Sequence, residues 1–146
     1  MKKNVYPQDL AIELSKMELD NIGKNACCAF VFLWCLGIEP DNPLESIRLI
    51  DEAIKKNYIM KDCTVKWYDW GKALTGRTID VEKVKITTIS NIKERTPVFY
   101  SINGVSGHWV GVENGKIAYN PIKDSINVKQ GKPRELRKII VKGMIK

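Results

Sequence analysis

The chain has 146 residues, 44% hydrophobic and 28% charged; it is long enough for one globular domain whose core needs neither disulfides nor a structural metal. Lys and Arg number 24 against 17 Asp and Glu, giving a net charge of +7 and a pI near 9.2. The longest apolar stretch, Ala26–Ile38, falls short of the ~20 residues a spanning helix needs, and Asp9 and Glu13 stand where a signal peptide needs an apolar run, so no membrane span and a cytoplasmic location are expected.

No repeat, low-complexity tract or Gly/Ser linker interrupts residues 1–146, which read as a single domain. Pro7–Met17 places Leu10, Leu14 and Met17 on one helical stripe. Ala26–Leu36 is apolar all round, the pattern of a helix buried on every side, and Gly37 suits its C′ position. Asn42-Pro43 is a helix start, Asn as N-cap and Pro at N1. Leu44, Ile47, Ile50 and Ile54 then trace one face to about Asn57. Trp67–Leu74 predicts a further short helix ended by Gly76.

Beyond it the pattern turns to strands: Val81–Ile86, Val98–Ile102, Trp109–Val112 and Lys116–Tyr119, the last two flanking an Asn-Gly turn. Ile126–Val128 and Ile139–Val141 are further strand candidates. Helices first and antiparallel strands after predict an α+β fold, an N-terminal helical layer on a C-terminal antiparallel sheet.

Four cysteines (27, 28, 35 and 63) and one histidine, His108, delimit the chemistry. The chain has no CxxC or HxxxH spacing, and one histidine cannot make a three-histidine centre, so no metal and no other cofactor are expected. A thiol at the head of a buried helix meets free backbone N–H groups and the positive end of the helix dipole, which favour the thiolate and can receive an oxyanion. With Asn25 as cap, Cys27 or Cys28 falls in that first turn. In 106-SGHWVGVENGKIAYNP-121, a three-residue loop Glu113-Asn114-Gly115 pairs Val112 with Lys116 and sets His108 opposite Asn120, whose amide then holds the imidazole in the tautomer a cysteine needs. A two-residue Asn114-Gly115 loop instead slips the register by one and turns Asn120 to the other face.

Cysteine heading a buried helix, a distant GHWV strand and a Tyr-Asn-Pro ending the next strand resemble the papain-like cysteine peptidase superfamily, in particular its small bacterial and phage-borne members related to the bacteriocin-leader peptidases. The resemblance covers about Asn21–Pro121 and implies a papain-like fold and a cysteine peptidase or amidase acting on an amide or isopeptide bond of a peptide or protein substrate. It puts the nucleophile on Cys27 or Cys28, the base on His108 and the orienting residue on Asn120. The Cys-x-Ala-Phe order and the six-residue spacing from Asn21 favour Cys27. The Gly-Cys-x-Phe order of related phage and spirochaete proteins, which also carry an Asp-Cys-x-Val like 62-DCTV-65, favours Cys28. Asn21 takes the oxyanion position usually held by Gln and is one methylene shorter, which puts activity in doubt. The alternative is a catalytically inactive papain-fold binding module.

Segment Lys129–Lys146 holds seven basic residues against Glu135 alone. It reads as a solvated basic edge around KIIV or as a patch for nucleic acid or another anionic polymer. The VKWYDWGK cluster, with Trp67, Tyr68 and Trp70, reads first as the cover of one end of the core and second as a stacking surface. Cys35 and Cys63 are expected to be structural thiols.

Overall fold

The computed structural model describes residues 26–38, 42–122 and 125–144. In chain order these form α1 (Cys27–Cys35), α2 (Pro43–Lys55), α3 (Trp67–Thr75), β1 (Arg77–Lys85), β2 (Thr96–Ser101), β3 (His108–Glu113), β4 (Lys116–Tyr119), α4 (Ile126–Gln130) and β5 (Lys132–Met144). The strands make one antiparallel sheet in the order β1-β5-β2-β3-β4. The α+β class with its antiparallel sheet is thus present. The stripe at Pro7–Met17 lies outside the described residues.

α1 is apolar on all sides because it is covered on all sides, with Ala29 through Trp34 buried. Its sheet-facing side presses Trp34 onto β3 at Gly111, where a Cβ would lie 2.4 Å from the Trp34 ring. Its other side packs with Ile47, Ile50 and Ala53 of α2 and with Ile59, Val65 and Trp70. Each such fully buried side chain as Phe30 or Phe32 contributes about 1.5–3 kcal/mol. The helix closes in a Schellman arrangement, Ile38 N to Leu33 O at 2.9 Å and Gly37 N to Trp34 O at 3.0 Å, with Gly37 at φ 77°.

α2 starts as its sequence predicts: the Asn42 side chain accepts from Leu44 N at 2.9 Å and Pro43 follows. Leu44, however, is 48% exposed, whereas Ile47 and Ile50 are buried. α3 ends at Gly76 in the left-handed region and rests on β1, with Gly71 against the Ile79 side chain.

The second face of the sheet has its own core of Val98, Tyr100, Val110 and Val112, covered by Ile86, Ile89, Ile92, Val128 and Leu136. Val128 belongs to α4, so the strand expected at Ile126–Val128 is a short helix instead. Its backbone turns back on Ser125 O, which accepts from the N–H groups of Val128 and Lys129. The basic segment forms β5, paired to β1 from Glu135 to Met144 but to β2 only from Lys132 to Leu136, so KIIV is bonded on its β1 side alone.

Candidate active site

The loop between β2 and β3 sets the position of His108. Ser101, fully buried, donates to Ser106 O at 2.6 Å and accepts from Gly104 N at 2.8 Å. Asn103 Oδ1 accepts from the N–H groups of Val105 and Ser106. Arg134 of β5 clamps the base of the loop, Nε to Ser101 O at 3.1 Å and Nη2 to Ile102 O at 2.7 Å. Gly107 then passes so close to β2 that a Cβ would lie 2.1 Å from Tyr100 O and 2.8 Å from the Phe99 ring. β3 begins at the next residue, with His108 opposite Tyr100.

The His108 ring is 5% exposed, and its Nε2 lies 2.7 Å from Asn120 Oδ1. The same oxygen accepts from the backbone N–H of Ile122 at 3.2 Å. A backbone N–H can only donate, so the atom it meets is the amide oxygen, and His108 Nε2 must donate to it as well. In the neutral ring the lone pair is therefore on Nδ1.

The register that joins His108 and Asn120 differs from the expected one. The turn is the two-residue kind, with Asn114 at φ 53° and Gly115 at φ 74° and Glu113 opposite Lys116. Alone, that loop turns Asn120 to the wrong face. The pairing then shifts, from Val112↔Ile117 to Gly111↔Tyr119, which leaves Ala118 as an extra residue on β4. This bulge restores the parity that the short turn removed, and Asn120 returns to the face of His108. Alternation of hydrophobic residues carries no signal for it in a four-residue strand.

Cys27 and Cys28 occupy the first two positions of α1, both half-buried. The N-cap position falls on Ala26, with no side-chain cap bond; Asn25, expected there, and Asn21 lie outside the described residues. The two thiols diverge. The backbone N–H groups of Trp109, Cys28 and Cys27 itself point at the Cys27 sulfur. Cys28 instead lies in the field of Arg137, Glu135 and Cys35. Cys27 is thus the cysteine beside the start of β3, in contact with the residue that follows His108. By strand alternation His108 shares the face of Val110 and Val112, whereas α1 covers the face of Trp109 and Gly111. Cys27 and His108 come to β3 from opposite faces, Cys27 against its second residue and His108 as its first, beyond the last β3–β4 pair, Gly111↔Tyr119.

Burial is the main influence on the Cys27 thiol and raises it above the ordinary thiol range, while the three N–H groups act in the opposite sense. Cys28 is raised further by burial and by Cys27. Burial pushes the Cys63 thiol to about 11, with Asp62 and Cys27 adding to the rise. Cys63 is a core residue held at φ 67°, whereas Cys35 is half-buried at the C-terminal end of α1.

Of the aromatic and ionic surroundings, the sequence marked only the cluster that holds Trp67. Trp67 and Trp109 meet edge to face with centroids 6.1 Å apart, Trp109 also meets Phe99, and the Arg137 guanidinium lies over both indoles. The Gly107-to-Gly111 alternation alone hints that Trp109 shares the crowded, α1-facing side of β3. Trp70 is buried and Tyr68 exposed, its hydroxyl donating to Val81 O. Among the described residues no three His, Cys, Asp or Glu side chains converge on a metal position, and no helix is long and apolar enough to cross a membrane. Compared with family models, curated proteins and solved structures, the chain gives no match.

Proposed function

We propose that the chain is a cysteine hydrolase of the papain-like type, cleaving an amide or isopeptide bond in a peptide or protein, with Cys27 as nucleophile, His108 as base and Asn120 as the residue that orients His108. The observation that carries this reading is the Asn120 oxygen. By taking two N–H donors it fixes the imidazole with Nδ1 as the proton acceptor, and it does so at the strand position next to the backbone that touches Cys27.

Cys27 Sγ attacks the carbonyl carbon as its proton passes to His108 Nδ1. The carbonyl oxygen becomes an oxyanion near the N–H groups at the head of α1. Collapse expels the amine, which takes the proton from His108 and leaves a thioester on Cys27. Water then attacks the thioester, giving its proton to His108, and the thiolate departs with that proton restored to it. Because burial raises the Cys27 thiol, the proton transfer to His108 is part of the reaction rather than a resting ion pair. That same rise favours the second reading, a binding module that keeps the cleft without the chemistry. Asn21 retains its proposed oxyanion role on the resemblance alone.

Iodoacetamide labelling at pH 7.5, resolved by cysteine in a mass spectrometer, separates the two. Hydrolase chemistry requires Cys27 to label first and to slow by roughly 10²–10⁴-fold in His108→Ala, the range for a positioned general base. Four uniformly slow thiols, unaffected by His108→Ala, would leave only the binding module.

A further inference from the structure

The pairing of β5 with β2 stops at Val98↔Leu136, while its pairing with β1 runs on in unbroken register to Ile79↔Val141. Pro97 removes the next bond: it stands opposite Arg137 and has no N–H to give the ladder. Upstream of Pro97 the Arg95 side chain is drawn instead to Trp34 O, at 3.0 Å, and to Glu113. Alternation tells which atoms of β5 are left open. Ile86 N donates to Arg134 O, so the even-numbered residues of this stretch turn their N–H and C=O groups to β1. Those of Ile139 and Val141 point the other way, where the described residues offer no strand partner. Tyr68 accordingly reaches Val81 O, opposite Ile139, from outside the sheet.

Beside this edge lies a cleft of about 490 Å³, walled by Glu94 and Arg95, by Ile139 and Val141, and by Cys35 and Leu36 at the end of α1. On the opposite face of the strand, Lys138, Ile140 and Lys142 are exposed. Cys27 is about 12 Å away along α1, so the edge stands apart from the candidate active site and does not rest on the hydrolase reading. A second copy of the chain suits it poorly. The antiparallel register that pairs both open residues of each copy sets Lys138 of one against Lys142 of the other, and like charges opposite each other repel. Lys142 already reaches Asp80 at 2.9 Å, whereas Lys138 has no ion pair among the described residues. A strand with a carboxylate opposite Lys138 meets that charge.

We infer that the open edge of β5 binds an extended peptide by antiparallel strand addition, β-branched side chains entering the cleft and an acidic residue lying opposite Lys138. The probe is a fluorescent, end-capped Glu-Val-Thr-Val-Glu peptide, titrated with the full chain and read by anisotropy. In this register the two valines face Val141 and Ile139 and exchange backbone bonds with them, while the threonine N–H points away. N-methylation of the second valine is expected to weaken binding about tenfold, the size of one lost hydrogen bond, and N-methylation of the threonine to leave it nearly unchanged. Lysine in place of both glutamates weakens binding, and Lys138→Glu, a surface change, inverts that preference. A Kd above about 1 mM for the glutamate peptide, or equal losses from the two methylations, overturns strand addition at this edge. A lysine peptide that binds wild type as tightly overturns the acidic occupant. A peptide-free chain that sediments as a dimer, split by the peptide, overturns the choice of a foreign strand over a second copy.

Discussion

Asn120 shows how much one side chain can determine. Its oxygen fixes the tautomer of His108, and Asn120→Ala leaves a buried N–H without its acceptor. The expected loss is about 1–3 kcal/mol of stability, read by urea denaturation, together with slower labelling of Cys27. Gly107 is the other residue on which the site depends. Tyr100 O occupies the space of any Cβ there, so Gly107→Ala must displace the strand start, and we expect it to cost at least about 2 kcal/mol. A fully stable Gly107→Ala would show that the β2–β3 approach is looser than described. The His108–Asn120 contact and the place of Cys27 and Cys28 at the head of α1 were legible in the sequence because each residue stands at an element boundary with a recognisable neighbour: the buried helix, the Gly before the strand, the Pro after it. Glu135 and Arg137 were not. Their alternation along β5 looks like any solvated strand, and only the pairing of β5 between β1 and β2 brings them under the two tryptophans.

Among the elements, helices were read most closely. The Asn42-Pro43 start, the Gly37 and Gly76 ends and the all-round apolarity of Ala26–Leu36 are local signals with local causes, and the structure uses each of them. Strand cores were legible, but registers and bounds were not, since β5 runs thirteen residues where only KIIV has strand character. The β3–β4 hairpin holds the sharpest case. The turn and the bulge each move Asn120 by one face, and together they cancel. Deleting Ala118 removes one of the two, so the variant is expected to keep its sheet by circular dichroism while Cys27 labelling falls toward the His108→Ala rate. Retained labelling would mean that Asn120 does not orient the ring. At the turn itself, Gly115→Ala places a Cβ at φ 74° and 3.1 Å from Ser90 O, with an expected cost of about 1–2 kcal/mol.

Across the whole molecule, part of the basic charge of Lys129–Lys146 is engaged within the fold. Lys142 pairs with Asp80, Arg137 with Glu135, and Arg134 binds loop carbonyls. Net charge alone does not reveal such pairing. The thiols set a global pH dependence. The folded chain holds the Cys63 proton up to about pH 11, whereas an unfolded thiol releases it near 9. The corresponding stability is fully present below about pH 9 and is lost as pH rises through 11. Chemical denaturation between pH 8 and 10.5 should show this decline, and Cys63→Ala, though less stable at pH 8, should show a flatter one. The central claim is the pairing of Cys27 with the one histidine of the chain, and that single ring gives an unambiguous ¹⁵N spectrum. The expected spectrum is that of a neutral imidazole protonated at Nε2, with an Nδ1 resonance that moves in Cys27→Ser. A ring protonated at Nδ1, or an Nδ1 resonance indifferent to Cys27, would contradict the pairing.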